Sequence, residues 1–397
     1  LKVLAVSWYS PTLGESGELI RFREMCTEIS KVHNLTVVSV DPRTGAGTVG
    51  EWVELKTPIS KRYKYSFFDK LLSIIRGKSL QESVLQSKQN ARFVADQIAR
   101  IKPDIIYINQ LPPISLLPGK SLHLAVVDTH NAETLRLHRR SKSSSNCVMA
   151  RLLKLQADQA RAFEERLSQS CAAVIAVSDS DADFFRSVGA RHVIVAPNGA
   201  RTFHRRAVSH LSSKQNLNLL FVGSLRYSAN RQALTSFAKH WCSSNSKNWK
   251  IRIVGSGDPG PKLKKLLSQP RITLVGKVED LQTEYEIADA VVIPMFEGGG
   301  TRLKVLEAAA FSVPIIATTV AVEGTGFEPG VHYYQANDEQ EFSLAVELLR
   351  KTPESADRLV QRAFDKTLES FNWEVIGRQL AESLTKVLTS EKLGRLD

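Results

Sequence analysis

Short apolar runs alternate with amphipathic helical stretches along nearly the whole chain, and they do so in two successive series. A continuous apolar run suits a strand buried on both faces, and apolar residues three and four apart suit a helix laid across such a face. Together they specify parallel sheets covered by helices. In the first series the strands are Val3 to Trp8, Leu35 to Val40, Asp104 to Asn109, Leu124 to Asp128, Ala173 to Val177 and His192 to Ala196. Glu18 to Val32 and Gln89 to Ile101 read as helices, and Ser178 reads as a helix N-cap. The second series runs through Leu217 to Phe221, Ile251 to Val254, Ile272 to Leu274, Ala290 to Pro294 and Pro314 to Ala317.

Between the series, Arg201 to Asn218 is polar, basic and weakly periodic. The fold class is therefore α/β, with two doubly wound Rossmann-like domains facing a central cleft onto which both sheets turn their strand carboxyl ends. The expected divisions are residues 1–203, residues 204–372, and a C-terminal helix over 373–397 that returns toward the N-terminal domain.

Charge narrows the partners. The 397 residues hold 53 Lys plus Arg against 41 Asp plus Glu, a formal charge of +12. The excess is local: residues 51–150 carry 16 basic and 8 acidic side chains and residues 201–250 carry 9 and 0, whereas residues 251–397 carry 17 and 22. An anionic partner such as a nucleotide, a nucleic acid or an acidic lipid is implied. The four cysteines are far apart and form no metal or disulfide pattern, which fits a reducing, cytoplasmic setting. No apolar stretch is long enough to span a membrane.

The segment from Val291 to Ala310 carries the most chemistry, reading as strand, glycine turn and helix. Gly298, Gly299 and Gly300 remove side chains where the backbone must approach a ligand, and Thr301 suits the helix cap. Free N–H groups and a positive helix end then converge on one spot. Arg302 and Lys304 stand in the first helical turn, where cations are disfavoured by roughly 0.3 to 1 kcal/mol each, so an anion is expected to offset them. The alternative is a pair of solvated surface cations. Glu307 lies on the same helical face as Lys304, placed either to accept from a ribose or to form an ion pair with that lysine.

With Val313-Pro314, Glu323-Gly324, Lys102-Pro103-Asp104, Pro197-Asn198-Gly199, Phe221-Val222-Gly223 and Phe371-Asn372-Trp373, this segment resembles, in order and over almost the whole chain, the group 1 (family 4) glycosyltransferases. These have the GT-B fold. The resemblance implies transfer of a sugar from a UDP- or GDP-type nucleotide-sugar to a hydroxyl of a glycan or lipid-linked acceptor, with retention of configuration. It implies no cofactor besides the donor substrate, and no metal. It assigns residues 1–203 to the acceptor side and residues 204–372 to the donor. Glu307 matches the second glutamate of the family's paired-glutamate motif, while the position of the first, eight residues earlier, is Gly299; Glu297 is ten earlier. Arg226 and Arg231 are the cations nearest the place where the family grips the diphosphate. His130, after the Leu124 to Asp128 strand, matches a histidine facing the donor sugar, and Ser16 and Gly17 match the acceptor-side glycine loop. His130, Arg302 and Lys304 are thus the candidate catalytic residues.

Asp179, Asp181 and Asp183 form a DxD pattern, but they open a helix, where acids cap and complement the dipole. Two basic stretches, residues 61–78 and Leu135 to Lys154, suit either an anionic membrane surface, which would place the protein peripherally on the inner face of the plasma membrane in polysaccharide or glycolipid assembly, or a solvated basic face with its aromatics packed inward. Two other readings stand beside this one: a nucleotide-sugar binding protein or epimerase of the same fold, and a nucleic-acid-binding protein. The last lacks any helix-turn-helix, RRM or zinc signature, and no nucleic acid is expected as a partner.

Overall fold

The computed structural model describes residues 1–11, 17–40, 47–49, 52–56, 76–79, 88–144, 146–201, 214–241, 248–296 and 303–393. The chain forms two compact units, Leu1–Asn198 with Trp373–Asp397, and Gly199–Asn372.

In the first unit the elements are β1 (Lys2–Ser7), α1 (Gly17–Val32), β2 (Asn34–Ser39), β3 (Gly47–Val49), β4 (Trp52–Lys56), α2 (Lys88–Ile101), β5 (Ile105–Asn109), β6 (Ala125–Asp128), α3 (Glu133–Ser143), α4 (Cys147–Ser170), β7 (Ala173–Ala176), α5 (Asp179–Ser187) and β8 (Val193–Val195). They build a sheet of order β3-β4-β2-β1-β5-β6-β7-β8. Every pairing is parallel except that of β3 with β4 at the edge. Val3 to Val6, Ile105 to Ile108 and Ala125 to Val127 are buried on both sheet faces, which is why they read as unbroken apolar runs.

In the second unit come β9 (Leu217–Val222), α6 (Ser228–Ser236), β10 (Trp249–Val254), α7 (Pro261–Leu267), β11 (Ile272–Gly276), α8 (Leu281–Ile287), β12 (Ala290–Ile293), α9 (Leu303–Ala310), β13 (Ile315–Ala317), β14 (Tyr334–Gln335), α10 (Glu339–Lys351) and α11 (Pro353–Ser370). All pairings here are parallel, in the order β11-β10-β9-β12-β13-β14. Both sheets therefore reverse strand order beside their first strand, between β1 and β5 and between β9 and β12. Loops at the carboxyl ends of such neighbours diverge to opposite faces and leave a ligand crevice.

The chain leaves the first unit at Asn198, ahead of the 203/204 boundary read from composition, because the Ala200 amide is already tied to the Phe371 carbonyl at 2.8 Å. The last helix, α12 (Trp373–Leu393), belongs to the first unit and packs on α1. His33 Nε2 lies 3.0 Å from the Ala381 carbonyl. A Cβ at Gly377 would come within 2.5 Å of Glu28 side-chain atoms, so only glycine lets the two helices approach this closely. Among the described residues no helix is long and apolar enough to cross a membrane.

The aspartates after β7 act as the helix start they resemble. Ser178 Oγ accepts from the Asp181 amide (3.2 Å), and the Asp181 carboxylate accepts from Ser178 Oγ (2.7 Å) and from the Ala132 amide (3.1 Å). Asp183 pairs with Arg186 at 2.8 Å.

Candidate functional site

In the second unit the crevice at the switch point is built on glycine. A Cβ on Gly255 would stand 2.1 Å from the Gly223 carbonyl oxygen, and one on Gly257 2.8 Å from the Arg226 amide nitrogen. The loops after β9 and β10 can lie backbone against backbone only because neither residue carries a side chain, and both also take positive φ. Gly223 leaves room of another kind: its Cβ would meet Asn230 Nδ2 at 2.7 Å and Lys304 Nζ at 3.1 Å.

That room holds a positioned cation. Asn230, buried at the start of α6, donates from Nδ2 to the Ser224 carbonyl (2.9 Å) and accepts from Lys304 Nζ at Oδ1 (2.8 Å). Lys304 Nζ also lies 5.1 Å from the centre of the Phe221 ring. A lysine in the first turn of α9, unfavourable there by itself, is thus fixed at the carboxyl ends of β9 and β12. One helical turn on, Glu307 accepts from the hydroxyl of buried Tyr285 (3.1 Å), whose ring stacks on Phe311 at 4.4 Å. Burial pushes the Glu307 carboxyl above its ordinary range, opposed by the Tyr285 hydroxyl and the Lys304 charge.

Arg226 is exposed beside Gly257. Arg231 turns back onto its own loop, Nη1 donating to the carbonyls of Leu225 (2.6 Å) and Arg226 (3.0 Å), so its guanidinium braces the turn. Glu297, Gly298, Gly299, Gly300, Thr301 and Arg302 lie outside the described residues.

The first unit fills the equivalent edge differently. Arg21 in α1 is 1% exposed and grips Asp128 at the end of β6 with two nitrogens, at 2.9 and 3.1 Å. Its Nη1 also donates to the Pro197 carbonyl (2.9 Å) and to Asn198 Oδ1 (3.3 Å), and Tyr107 Oη donates to Asp128 (2.8 Å). Burial works against the Asp128 carboxylate, yet the Arg21 charge, these donors and, once its ring is protonated at low pH, His130 hold its pKa below the ordinary value.

His130 lies beside it, with φ +57°, and Gln110, at the end of β5, has φ +69°. Two non-glycine residues in the left-handed region at one sheet edge are backbone strain of about 1 to 3 kcal/mol each, of the kind stored at working sites. His130 Nε2 is 2.8 Å from Asn109 Oδ1, while Asn109 Nδ2 donates to Ser7 Oγ at 3.0 Å. With that orientation of the amide, His130 carries its proton on Nε2 and presents Nδ1 as the basic nitrogen. Burial, helped by the Arg21 charge, lowers the imidazole pKa against the pull of Asp128 and Glu18, so the ring is neutral. Gly17 opens α1; Ser16 lies outside the described residues.

Residues 216–351, which include Lys304, Asn230, Tyr285 and Glu307, match the family model described as Glycosyl transferases group 1. Over that stretch the chain is similar to the group 1 glycosyltransferases. Over 167 residues, 40% of this chain and 43% of the relative, the chain is 28% identical to a protein of Klebsiella pneumoniae described as an uncharacterized 44.6 kDa protein in cps region. The match thus spans less than half of that relative's length. Among solved structures it is similar to sucrose-phosphate synthase from Thermosynechococcus elongatus, with a TM-score of 0.72 and 16% identity over 98% of this chain and 100% of that one. It is also similar to HepE of Anabaena in complex with UDP-glucose, with a TM-score of 0.65 and 14% identity over 97% and 99%. At such identities the likeness shows the fold, a GT-B pair of Rossmann-like units.

Proposed function

We propose that this protein transfers a sugar from a nucleoside diphosphate sugar to an acceptor hydroxyl, with retention of configuration and without a metal ion. The observation that carries the reading is the positioned Lys304 beside Glu307 at the β9/β12 switch point, inside the stretch that matches the family. The reaction separates charge: as the bond between sugar and diphosphate breaks, the departing nucleoside diphosphate becomes more negative. A fixed ammonium lowers that barrier because it needs no reorganisation. Lys304, with Arg302, Thr301 and the amides of Gly298, Gly299 and Gly300, is proposed to receive the diphosphate, and Arg226 to approach it from the β9 loop. Glu307, oriented by Tyr285, accepts from the ribose hydroxyls.

His130 is the group the first unit offers to the sugar, neutral and accepting at Nδ1. Ser16 and Gly17 are proposed on the acceptor side. A UDP-type donor is favoured by the UDP-glucose bound to the structurally similar HepE, with GDP-sugars the second candidates. Retention, the glycan or lipid-linked acceptor, and a setting in polysaccharide or glycolipid assembly on the cytoplasmic side of a membrane rest on the family resemblance.

A panel of UDP- and GDP-sugars, followed by thermal shift and by release of the free nucleotide, tests this. One donor should raise the melting temperature and be turned over. Stabilisation without turnover or transfer would favour a binding protein, an epimerised sugar would mark an epimerase, and no stabilisation by any donor would remove the donor-site reading.

A further inference from the structure

His130 holds a left-handed backbone, φ +57°, just past the carboxyl end of β6. A conformation of this kind persists only where the surrounding structure fixes the chain on both sides. On the N-terminal side the sheet does so: Thr129 donates to the Ile175 carbonyl of β7 from its amide (3.1 Å) and from Oγ1 (3.0 Å). On the C-terminal side no strand is at hand, and α3 begins three residues after His130.

That helix has no cap of its own. Ala132 stands at its N-cap without a side chain that can accept, and the Glu133 carboxylate is turned onto Arg136. The first amides are met instead from two other helices. Asp181, in the first turn of α5, accepts from the Ala132 amide at 3.1 Å. Glu164, within α4, accepts from the Glu133 amide (2.6 Å), the Thr134 amide (3.2 Å) and Thr134 Oγ1 (2.6 Å). Three successive amides thus end on two carboxylates that are 5% and 0% exposed, and only His130 and Asn131 lie between the anchored stretches. Ser, Thr, Asn or Asp at position 132 would start a helix without burying a carboxylate. Such a local cap ties α3 to its own loop alone. The remote pair ties it to α4 and to α5, and α5 follows directly on β7, the strand that holds Thr129.

We propose that Glu164 and Asp181 are positioning residues for His130: by fixing the start of α3 they impose the left-handed turn that keeps the imidazole on Asn109, Nε2 donating and Nδ1 left to accept. The part this gives them in catalysis rests on the reading of His130 as the group offered to the donor sugar. The geometry itself lies wholly within the first unit.

The His130 Nε2–H proton reports that geometry, because its bond to Asn109 Oδ1 slows exchange with water. Proton–nitrogen correlation spectra of the full chain should show a protected imidazole N–H that disappears in His130→Gln. Glu164→Leu should speed its exchange about tenfold or more, the loss of at least one hydrogen bond. Glu164→Asp, which keeps the charge but falls one methylene short, and Asp181→Ala should act in the same direction, and they carry the test if the leucine variant does not fold. Glu164→Gln, with the full length and one accepting oxygen, should retain the protected proton. With a donor that the wild type turns over, Glu164→Asp should lower kcat while leaving the affinity for the free nucleoside diphosphate unchanged. A proton that stays protected in Glu164→Asp and Asp181→Ala would overturn the proposal and leave both acids a stabilising role only. So would its absence from the wild type, or its loss in Glu164→Gln as complete as in Glu164→Leu. Unaltered turnover in His130→Gln would remove the functional reading alone, since the protected proton tests the clamp in either case.

Discussion

The two units share a strand order and differ in what occupies its reversal. Beside β1 and β5 the polar groups are completed by one another: Arg21 holds Asp128, Tyr107 donates to the same carboxylate, and the chain Ser7, Asn109, His130 runs across the crevice. Beside β9 and β12 the backbone is thinned by glycine, Asn230 accepts from Lys304, and Tyr285 donates to Glu307. One edge closes its charges internally and orients a neutral imidazole. The other holds in place the lysine and the glutamate that are proposed to meet the donor. Topology supplies the crevice in both cases, and the residues that face it decide its chemistry.

The strongest way to break this comparison is to open the closed edge. Arg21→Met leaves Asp128 buried without its cation and should cost about 3 to 5 kcal/mol of stability, read by chemical denaturation. In the wild type the sign follows from the depressed Asp128 pKa: its contribution is present above the ordinary carboxylate value and is lost as pH falls through the lower folded value. A small loss in Arg21→Met would mean that the ion pair is not structural.

Glu164 sharpens the point because it is a buried carboxylate that pairs with no cation among the described residues. It accepts from the Glu133 amide (2.6 Å), the Thr134 amide (3.2 Å) and Thr134 Oγ1 (2.6 Å), and burial still pushes its pKa from 4.5 to about 7. A raised folded pKa stabilises fully below the ordinary value and loses that contribution as pH rises through about 7. Up to about 3 kcal/mol should therefore disappear across this window, and Glu164→Gln should abolish the dependence. Thermal melts of both proteins between pH 4.5 and 8 check it, and a pH-insensitive wild type would refute it.

In the open edge the effects fall on ligands. Glu307→Ala should leave the fold intact and weaken donor affinity about tenfold, by the loss of a charge-assisted hydrogen bond. Tyr285→Phe should weaken it by less, because it removes only the hydroxyl that orients the carboxylate. Titration calorimetry separates the two, and an unchanged affinity in Glu307→Ala would take the ribose contact away from it.

How far the sequence discloses this can be judged residue by residue. The strands buried on both faces were legible within a residue or so, since nothing but a parallel sheet needs runs like Val3 to Val6. β3, β4 and β14 were not: they are short, and β4 carries Glu54, an acid that reads as a loop residue yet is buried as the acceptor of Ser10 and Ser39. Lys304 and Glu307 could be singled out because a cation in a first helical turn is anomalous by itself. Their partners Asn230 and Tyr285 could not, since no local pattern marks a contact made across 74 or 22 positions. Arg21 was hidden in the same way. Among Leu19, Phe22 and Met25 it looks like a surface cation, and only Asp128, 107 residues away, makes its burial tolerable.

The central claim, that the β9/β12 crevice receives a nucleoside diphosphate through Lys304, is tested most directly by calorimetric titration of UDP and of GDP into the wild type and Lys304→Ala. Saturable binding of one of them, weakened about tenfold to a hundredfold in the variant, is the predicted result. Equal affinity in the two proteins would contradict it.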